Sequence, residues 1–587
     1  MTLSVSRHVR RSLLPCVFSA AALALVVPAA AAQVDVGSTD KLPAGRLNGE
    51  AAVNALGAGL DGVAQANGMT AEQLTEIFRT DDTLYVDGND NLFYIDEATA
   101  PRVSEVPSYN GEIPVEEAFN LSSLPGATKT IYLDFDGHHS VNNSWNHDIE
   151  FPAYNTSGSP DTFSTSELLE IIAHWKYVVE DFAPFEVNVT TLEPPLSALT
   201  KNGSGDQTYG IRCVMTQATD GFGGFGGIAF LNSFNDSIDN PCFALNKGMN
   251  NGSMTASHEV GHTLGLSHDG LGGQSYHPGT GSGETSWGPI MGAPFGDFLV
   301  QWSPGDYPNS TTTQNDVNII TGSSNGINWL DDDHGDDHTS ASPLSAAIGC
   351  PDPLPASATG VIGRRTDVDA FEFTTAAGIV TIDAVPLYSP GGNLDLQVDV
   401  VDGSGALLGS ANQEDESDAS LSIELPAGTY YALVDGVGKP GVYSDYGSLG
   451  QYTIYVTTPG TEPLVNLGGS VPAGNGITPA FTITGTACPG ELMSWNLINA
   501  PWSAPAYLMM GFFELSLPFK GGVLVPDINP PGVIIPTATN FVGLIFLNLE
   551  WPAGLPAGLS MYLQYWIQDP SAVAGFAASN GFRIYAP

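Results

Sequence analysis

The stretch His258-Glu259-Val260-Gly261-His262-Thr263-Leu264-Gly265-Leu266-Ser267-His268-Asp269 decides how this chain is read. On a helix, His258 and His262 lie about one turn apart on a shared face, so both imidazoles can reach one metal ion. Glu259 adjoins the first of them and can hold a water beside that ion. Gly265 suits a turn that ends the helix, because glycine accepts left-handed backbone angles. The chain can then return His268 as a third ligand. Three neutral imidazoles with a fourth position open describe a catalytic zinc site, not a closed structural one. The chain has only 11 His in 587 residues, so three of them at this spacing are hard to reach by chance.

The pattern HExxHxxGxxH resembles that of the metzincin zinc endopeptidases. Pro289-Ile290-Met291-Gly292 lies downstream, with Met291 23 residues after His268, and is similar to the Met-turn of that clan. The resemblance implies that Met291 packs beneath the zinc ligands without binding the metal. Asp269 resembles the acid of adamalysin-like members, which implies that it anchors the Met-turn segment by hydrogen bonds. Some metzincins carry a Tyr two residues after the Met; Ala293 stands there. Tyr276 and His277 are candidates for the cleft wall. The resemblance covers roughly residues 128–330. It implies zinc on His258, His262 and His268, a protein or peptide substrate, and Glu259 as the base that moves a proton from water to the leaving amine. Two other readings compete. One is a surface adhesion or polymer-binding protein with an inactive metallopeptidase-like domain; the intact Glu259 argues against it. The other is a zinc hydrolase of a non-peptide bond.

Working towards the N-terminus, Arg7, Arg10 and Arg11 precede an apolar run that ends in Ala30-Ala31-Ala32 before Gln33. This reads as a signal peptide over 1–32 and predicts secretion; the rival is an uncleaved anchor, since the run could span a bilayer. Residues 33–127 read as a leader or propeptide-like module, with a permanent accessory domain as the alternative, and show helical periodicity over 51–78 and a hairpin over 83–96. The leader holds no cysteine. A cysteine-based latency is therefore excluded, and inhibition would use another group, such as an Asp, or block the cleft. The metallopeptidase domain is assigned to 128–340. A strand is predicted at 130–135, and Ser164 with Glu167 forms a capping box ahead of a helix. Export permits disulfides. Among Cys213, Cys242, Cys350 and Cys488, the pair Cys213–Cys242 is expected, because both lie in one domain.

Towards the C-terminus, residues 329–338 read WLDDDHGDDH and mark a boundary. Asp331, Asp332, Asp333 and Asp336 crowd a short loop, and hard carboxylate oxygens at that density suit calcium. The competing reading is a solvated acidic linker. Residues 350–458 show short β-rich runs about ten residues apart, as in a β-sandwich. The stretches 367–373 and 425–431 resemble the bacterial pre-peptidase C-terminal domain. Residues 463–587 form a last β domain. Its Trp551, Tyr562, Tyr565 and Trp566 could stack on sugars but read more readily as core. Polysaccharide or cell-surface contact through the C-terminal β domains is the matching partner expectation. The chain is thus expected to be multidomain: an α+β metzincin-like catalytic domain followed by two all-β, sandwich-like domains. With 17 Lys and Arg against 63 Asp and Glu, the net charge of −46 excludes a grip on nucleic acid or anionic membrane. No segment after the signal peptide is long and apolar enough to span a membrane.

Overall fold

The computed structural model describes residues 42–43, 45–98, 113–145, 147–159, 162–216, 224–246, 248–344, 355–388, 391–459, 464–485, 487–488, 490–555 and 559–585. The predicted signal peptide and Cys350 lie outside the described residues. Residues 47–97 contribute β1 (Leu47–Asn48), α1 (Gly49–Leu56), α2 (Leu60–Ala66), α3 (Ala71–Thr80), β2 (Leu84–Val86) and β3 (Leu92–Glu97), within the expected leader. The next region contributes β4 (Lys129–Asp134), β5 (His138–Ser140), β6 (Ile149–Phe151), α4 (Thr165–Asp181), β7 (Asn188–Thr190), β8 (Tyr209–Met215), β9 (Phe225–Phe230), β10 (Cys242–Ala244), α5 (Met249–Thr263), β11 (Trp287–Pro289) and β12 (Leu299–Gln301).

Local chemistry accounts for the ends of these elements. Ser164 and Glu167 exchange the two hydrogen bonds of a capping box, so α4 begins where the sequence places it. Asp87 Oδ1 accepts from the amides of Asn89 and Asn91 and closes the β2–β3 turn. Strands β4, β8 and β10 are buried at every residue, as central strands covered on both faces must be.

Eight strands form one sheet in the order β1-β2-β3-β9-β10-β8-β4-β7. From β10 to β7 the neighbours run parallel. β9 is antiparallel to β10, and β3 is antiparallel to β9, with Phe93 opposite Phe230 and Asp96 opposite Gly227. The β2–β3 hairpin therefore belongs to the same sheet as the strands between residues 129 and 244, with β1 at its outer edge. Helices α4 and α5 pack against each other, and α5 lies on β8, β9 and β10.

The expected Cys213–Cys242 disulfide is absent. The two residues are register neighbours on β8 and β10, and both are buried free thiols. Each thiol has its own acceptor: Met215 Sδ for Cys213 and the Arg212 carbonyl for Cys242, both at 3.7 Å. Cys488 is disulfide-bonded, to a partner outside the described residues.

Beyond residue 340, β13 (Ser342–Pro343), β14 (Ala356–Ile362), β15 (Val368–Thr375), β16 (Gly378–Pro386), β17 (Leu396–Val401), β18 (Leu407–Ala411), β19 (Ala419–Leu425), β20 (Gly428–Gly436) and β21 (Gly450–Thr457) form two sheets, β13-β15-β20-β17-β18 and β14-β21-β16-β19. Their apolar faces join the same hydrophobic core as α4 and α5. Glu180, at the end of α4, is fully buried in that shared core and accepts from the main chain and side chain of Gln451, each at 3.0 Å. The last region, 464–585, is also built from β-sheets. Trp551, Tyr565 and Trp566 are buried there as core, and Tyr562 is half-buried; the exposed large aromatics include Trp502 and Phe541. No helix among the described residues is long and apolar enough to cross a membrane.

Candidate metal centre

Helix α5 supplies His258, Glu259 and His262 from its last turns. It is packed closely from below by a side chain that fits only because the helix carries glycine. A Cβ at Gly261 would stand 2.6 Å from the Met291 sulfur, so Met291 lies directly under this face of the helix, fully buried. Beyond Thr263 the Leu264 amide reaches Val260 and the Leu266 amide reaches Gly261, while Gly265 takes φ +102°. That left-handed turn ends the helix and brings His268 back, as the position of the glycine predicts.

The three imidazoles are fixed by what their Nδ1 atoms meet. His258 Nδ1 donates to the Ile290 carbonyl, His262 Nδ1 to the Leu266 carbonyl, and His268 Nδ1 to Asp81 Oδ2, each at 2.7 Å. Carbonyl acceptors require the proton on Nδ1 of His258 and His262, and the Asp81 carboxylate holds the Nδ1 proton of His268, so each ring offers Nε2 as its donor atom, and zinc would displace the Nε2 proton that His268 otherwise carries. His262 Nε2 and His268 Nε2 are 3.1 Å apart, and His258 Nε2 is buried with no hydrogen-bond partner. Three Nε2 atoms converging at these distances suit a cation in their midst, so the residues present fit a zinc ion.

Two leader residues complete this centre, and the sequence did not single out either. Asp96, near the end of β3, sets Oδ2 3.2 Å from His258 Nε2 and 3.6 Å from His262 Nε2, and Oδ1 3.2 Å from His268 Nε2. Its ligand atom and those of the three histidines lie within 4.8 Å of one another, and all four residues are buried. Although burial opposes charge on Asp96, His268 and the other imidazoles hold its carboxyl well below the usual carboxylate range. Asp81, just after α3, is the orienting carboxylate of His268. Against its own burial, Asp81 and Asp96 push His268 up to about 10. The leader also stacks Tyr94 on the His262 ring, with centroids 4.0 Å apart. Only the period-two pattern of the hairpin hinted at these residues; nothing local pairs Asp96 with histidines so far along the chain.

Glu259 is fully buried, and neither of its oxygens has a hydrogen-bond partner. Burial first, and then the Asp96 carboxylate, hold its pKa well above the ordinary carboxylate range. Gly227 of β9 lies against it: a Cβ there would stand 1.7 Å from Glu259 Oε1. Next to Glu259 is a cavity of about 120 Å³, with Thr255, Ala293 and Phe295 on its walls and leader residues 96–98 along one side. Tyr276 reaches this space, donating to Asp96 Oδ1 at 2.9 Å. His277 does not line the cavity; it packs on Trp287 and Tyr307. The expected anchoring of the Met291 segment by the Asp269 acid is not seen: the Asp269 amide, not its carboxylate, donates to the Met291 carbonyl at 2.8 Å, and both carboxylate oxygens are buried without a partner.

The acidic loop sits elsewhere, where the peptidase region meets the sandwich. Asp331, Asp332, Asp333 and Asp336 line a surface cavity there together with Asp367. Asp331 is in neither of the two close carboxylate groups found at this place.

With this geometry in hand, comparison with known proteins is informative at one point. Residues 189–269 match the family model Metallo-peptidase family M12B Reprolysin-like, a span that starts in β7 and ends just past His268. This region is therefore similar to a metallopeptidase family. No curated protein matches the chain. Among solved structures, the pre-peptidase C-terminal domain of collagenase from Bacillus anthracis aligns at 11% identity, covering 22% of this chain and 100% of that one, with a TM-score of 0.15. Aeromonas hydrophila PliG, a periplasmic lysozyme inhibitor of g-type lysozyme, aligns at 16% identity over 20% of this chain and 94% of that one, also with a TM-score of 0.15. At those scores neither alignment bears on fold or function.

Proposed function

We propose that this chain is a secreted, zinc-dependent endopeptidase whose leader lodges in the cleft. The observation that carries the reading is the buried, unpartnered Glu259 carboxylate beside three imidazoles whose Nε2 atoms converge. A site that only held metal for stability has no use for that carboxylate, which disfavours an inactive adhesion protein.

His258, His262 and His268 would hold zinc through Nε2. Zinc bound there supplies Lewis acidity towards the carbonyl under attack and acidifies water. Glu259 takes the proton of the attacking water and gives it to the leaving amine nitrogen. The Gly227 edge of β9 is the natural place for an extended peptide, which adds to a sheet edge as one more strand. In the described form β3 already pairs with that edge and Asp96 stands among the three imidazoles. We therefore read the described form as latent, with release or removal of the leader needed for activity.

The test is digestion of denatured casein by leader-processed protein, wild type against Glu259→Gln, with zinc measured on both. The reading expects equal zinc and a loss of turnover of at least about 100-fold in the variant, the scale of a lost acid–base group. Equal zinc with no cleavage by either protein would favour a polymer-binding role instead.

A further inference from the structure

The segment that leaves the peptidase region is pinned at both ends. The Leu330 amide donates to the Pro184 carbonyl at 2.9 Å, and Trp329 bridges to Phe185. On the sandwich side, the Ala370 amide donates to the Gly335 carbonyl at 3.0 Å. The His334 ring ties the loop to β13 and β14, with Nε2 donating to the Thr359 carbonyl at 3.0 Å and Nδ1 accepting from Ser342 Oγ at 2.8 Å. These anchors turn the acidic loop towards Asp367 and Asp369 at the start of β15. Ligand oxygens of Asp332, Asp336 and Asp367 lie within 4.8 Å of one another, and so do those of Asp332, Asp333 and Asp369. Asp332 belongs to both groups.

Exposed acids often cluster without a ligand; the buried members are what set this cluster apart. Asp369 is 0% exposed. Its Oδ2 accepts from Tyr452 Oη at 2.6 Å, and its Oδ1 is buried without any hydrogen-bond partner. Asp367 repeats the arrangement: Oδ2 accepts from the Gly363 amide at 2.6 Å, and Oδ1 is buried and unpartnered. A buried carboxylate oxygen without a partner is unfavourable unless a positive group meets it. The nearby cations are engaged elsewhere. Arg364 lies over the Trp329 ring and reaches the Leu330 carbonyl, and both ring nitrogens of His334 are taken, although Nε2 stands 3.6 Å from Asp333 Oδ2. Burial and the crowding acids push Asp369 up to about 8 and Asp367 up to about 6.

We propose that these residues form a calcium site, with Asp332 shared at its centre and Asp333, Asp336, Asp367 and Asp369 around it. Every donor is a hard oxygen, and both ring nitrogens of the adjacent His334 are engaged, which disfavours zinc. Five carboxylates exceed the one or two that magnesium usually takes and suit the six to eight flexible oxygen contacts of calcium. The site draws on both sides of the junction, so the ion would staple the acidic loop to β15 of the larger sandwich sheet. Asp331 stays outside, and Asp337 Oδ1 is already used by the amide and hydroxyl of Thr339. The exposed carboxylates of Asp332 and Asp336 leave the solvent side open for the ion to enter.

The test uses the full chain, stripped of divalent ions and resupplied with one equivalent of zinc so that the histidine centre is the same in every sample. Calcium chloride is titrated calorimetrically, and melting is followed with and without calcium, with magnesium chloride as the comparison. The expected result is saturable calcium binding, a melting temperature higher by several degrees, and no matching effect of magnesium. Asp332→Asn, an exposed and conservative change, should weaken calcium binding at least tenfold. Asp369→Asn should do the same, and Asp331→Asn should not. No binding and no shift in the wild type would mean a solvated acidic linker only and would overturn the proposal. So would wild-type calcium affinity in Asp332→Asn, or magnesium that binds and stabilises as well as calcium.

Discussion

The histidine centre and the acidic junction both gather aspartates, yet they treat the charge in opposite ways. At the histidine centre one carboxylate, Asp96, is met by three imidazoles. At the junction, aspartates chiefly meet one another, and two buried oxygens have no partner. If the two proposals hold, the donor set chooses the ion: nitrogen donors with anchored Nδ1 atoms would take zinc, and oxygen-only donors would take calcium. The two centres should therefore respond independently when either is damaged.

The largest effect is expected from His262→Ala. It removes a ligand from the middle of the site and should abolish both zinc retention and proteolysis while leaving any calcium response unchanged. Metal analysis together with melting curves in calcium checks this. Full zinc content in the variant would break the comparison, because the imidazoles would then not be what holds the metal.

The next effect separates the leader from the metal. If Asp96 and the β3 pairing hold the protein latent, Asp96→Ala in the unprocessed chain should raise basal cleavage of a short peptide several-fold. It should also make cobalt substituted for zinc spectroscopically different from the wild type, since a donor is lost. An unchanged cobalt spectrum would show that Asp96 is no ligand and that the leader acts by obstruction alone. Gly227→Ala tests the opposite wall. A Cβ 1.7 Å from Glu259 Oε1 must displace that carboxylate, so turnover of the processed enzyme should fall about 100-fold with zinc retained.

These centres were unequally legible in the sequence. The histidine triad and its Gly265 turn follow from spacing within one helix and one turn, so short-range rules suffice. Asp96 and Asp81 belong to the same centre but arrive through strand pairing between β3 and β9, and one sequence does not display sheet order. The acidic loop was visible as a cluster, whereas Asp367 and Asp369 read only as part of a β-domain motif until β15 set their oxygens against the loop. The cysteine pair misled for a related reason. Register neighbours in parallel strands are close, but here each thiol has found another acceptor. The boundary near residue 127 marks a real change in sequence texture, yet the hydrogen bonding of the sheet runs across it.

A third buried carboxyl sharpens the comparison, because it has neither imidazoles nor a candidate ion. Glu180 sits in the core shared by α4 and the sandwich, and burial pushes its pKa from 4.5 up to about 8. A carboxyl raised in this way is kept in the fold by holding its proton. Its contribution is fully present below the unfolded value and is lost as pH rises through the folded one. Stability should therefore fall between about pH 4.5 and pH 8, by at most about 1.4 kcal/mol per pH unit from this group. Asp181, raised to about 7, titrates in the same window, so the difference between wild type and Glu180→Gln is the quantity to measure. Gln cannot ionise, and the Gln451 side-chain amide can turn to accept from it. The variant should melt close to the wild type at about pH 5 and above it at about pH 8. An equal offset at both pH values would mean that Glu180 is already charged in the fold, and that a buried carboxyl here can be kept by hydrogen bonds from Gln451 alone.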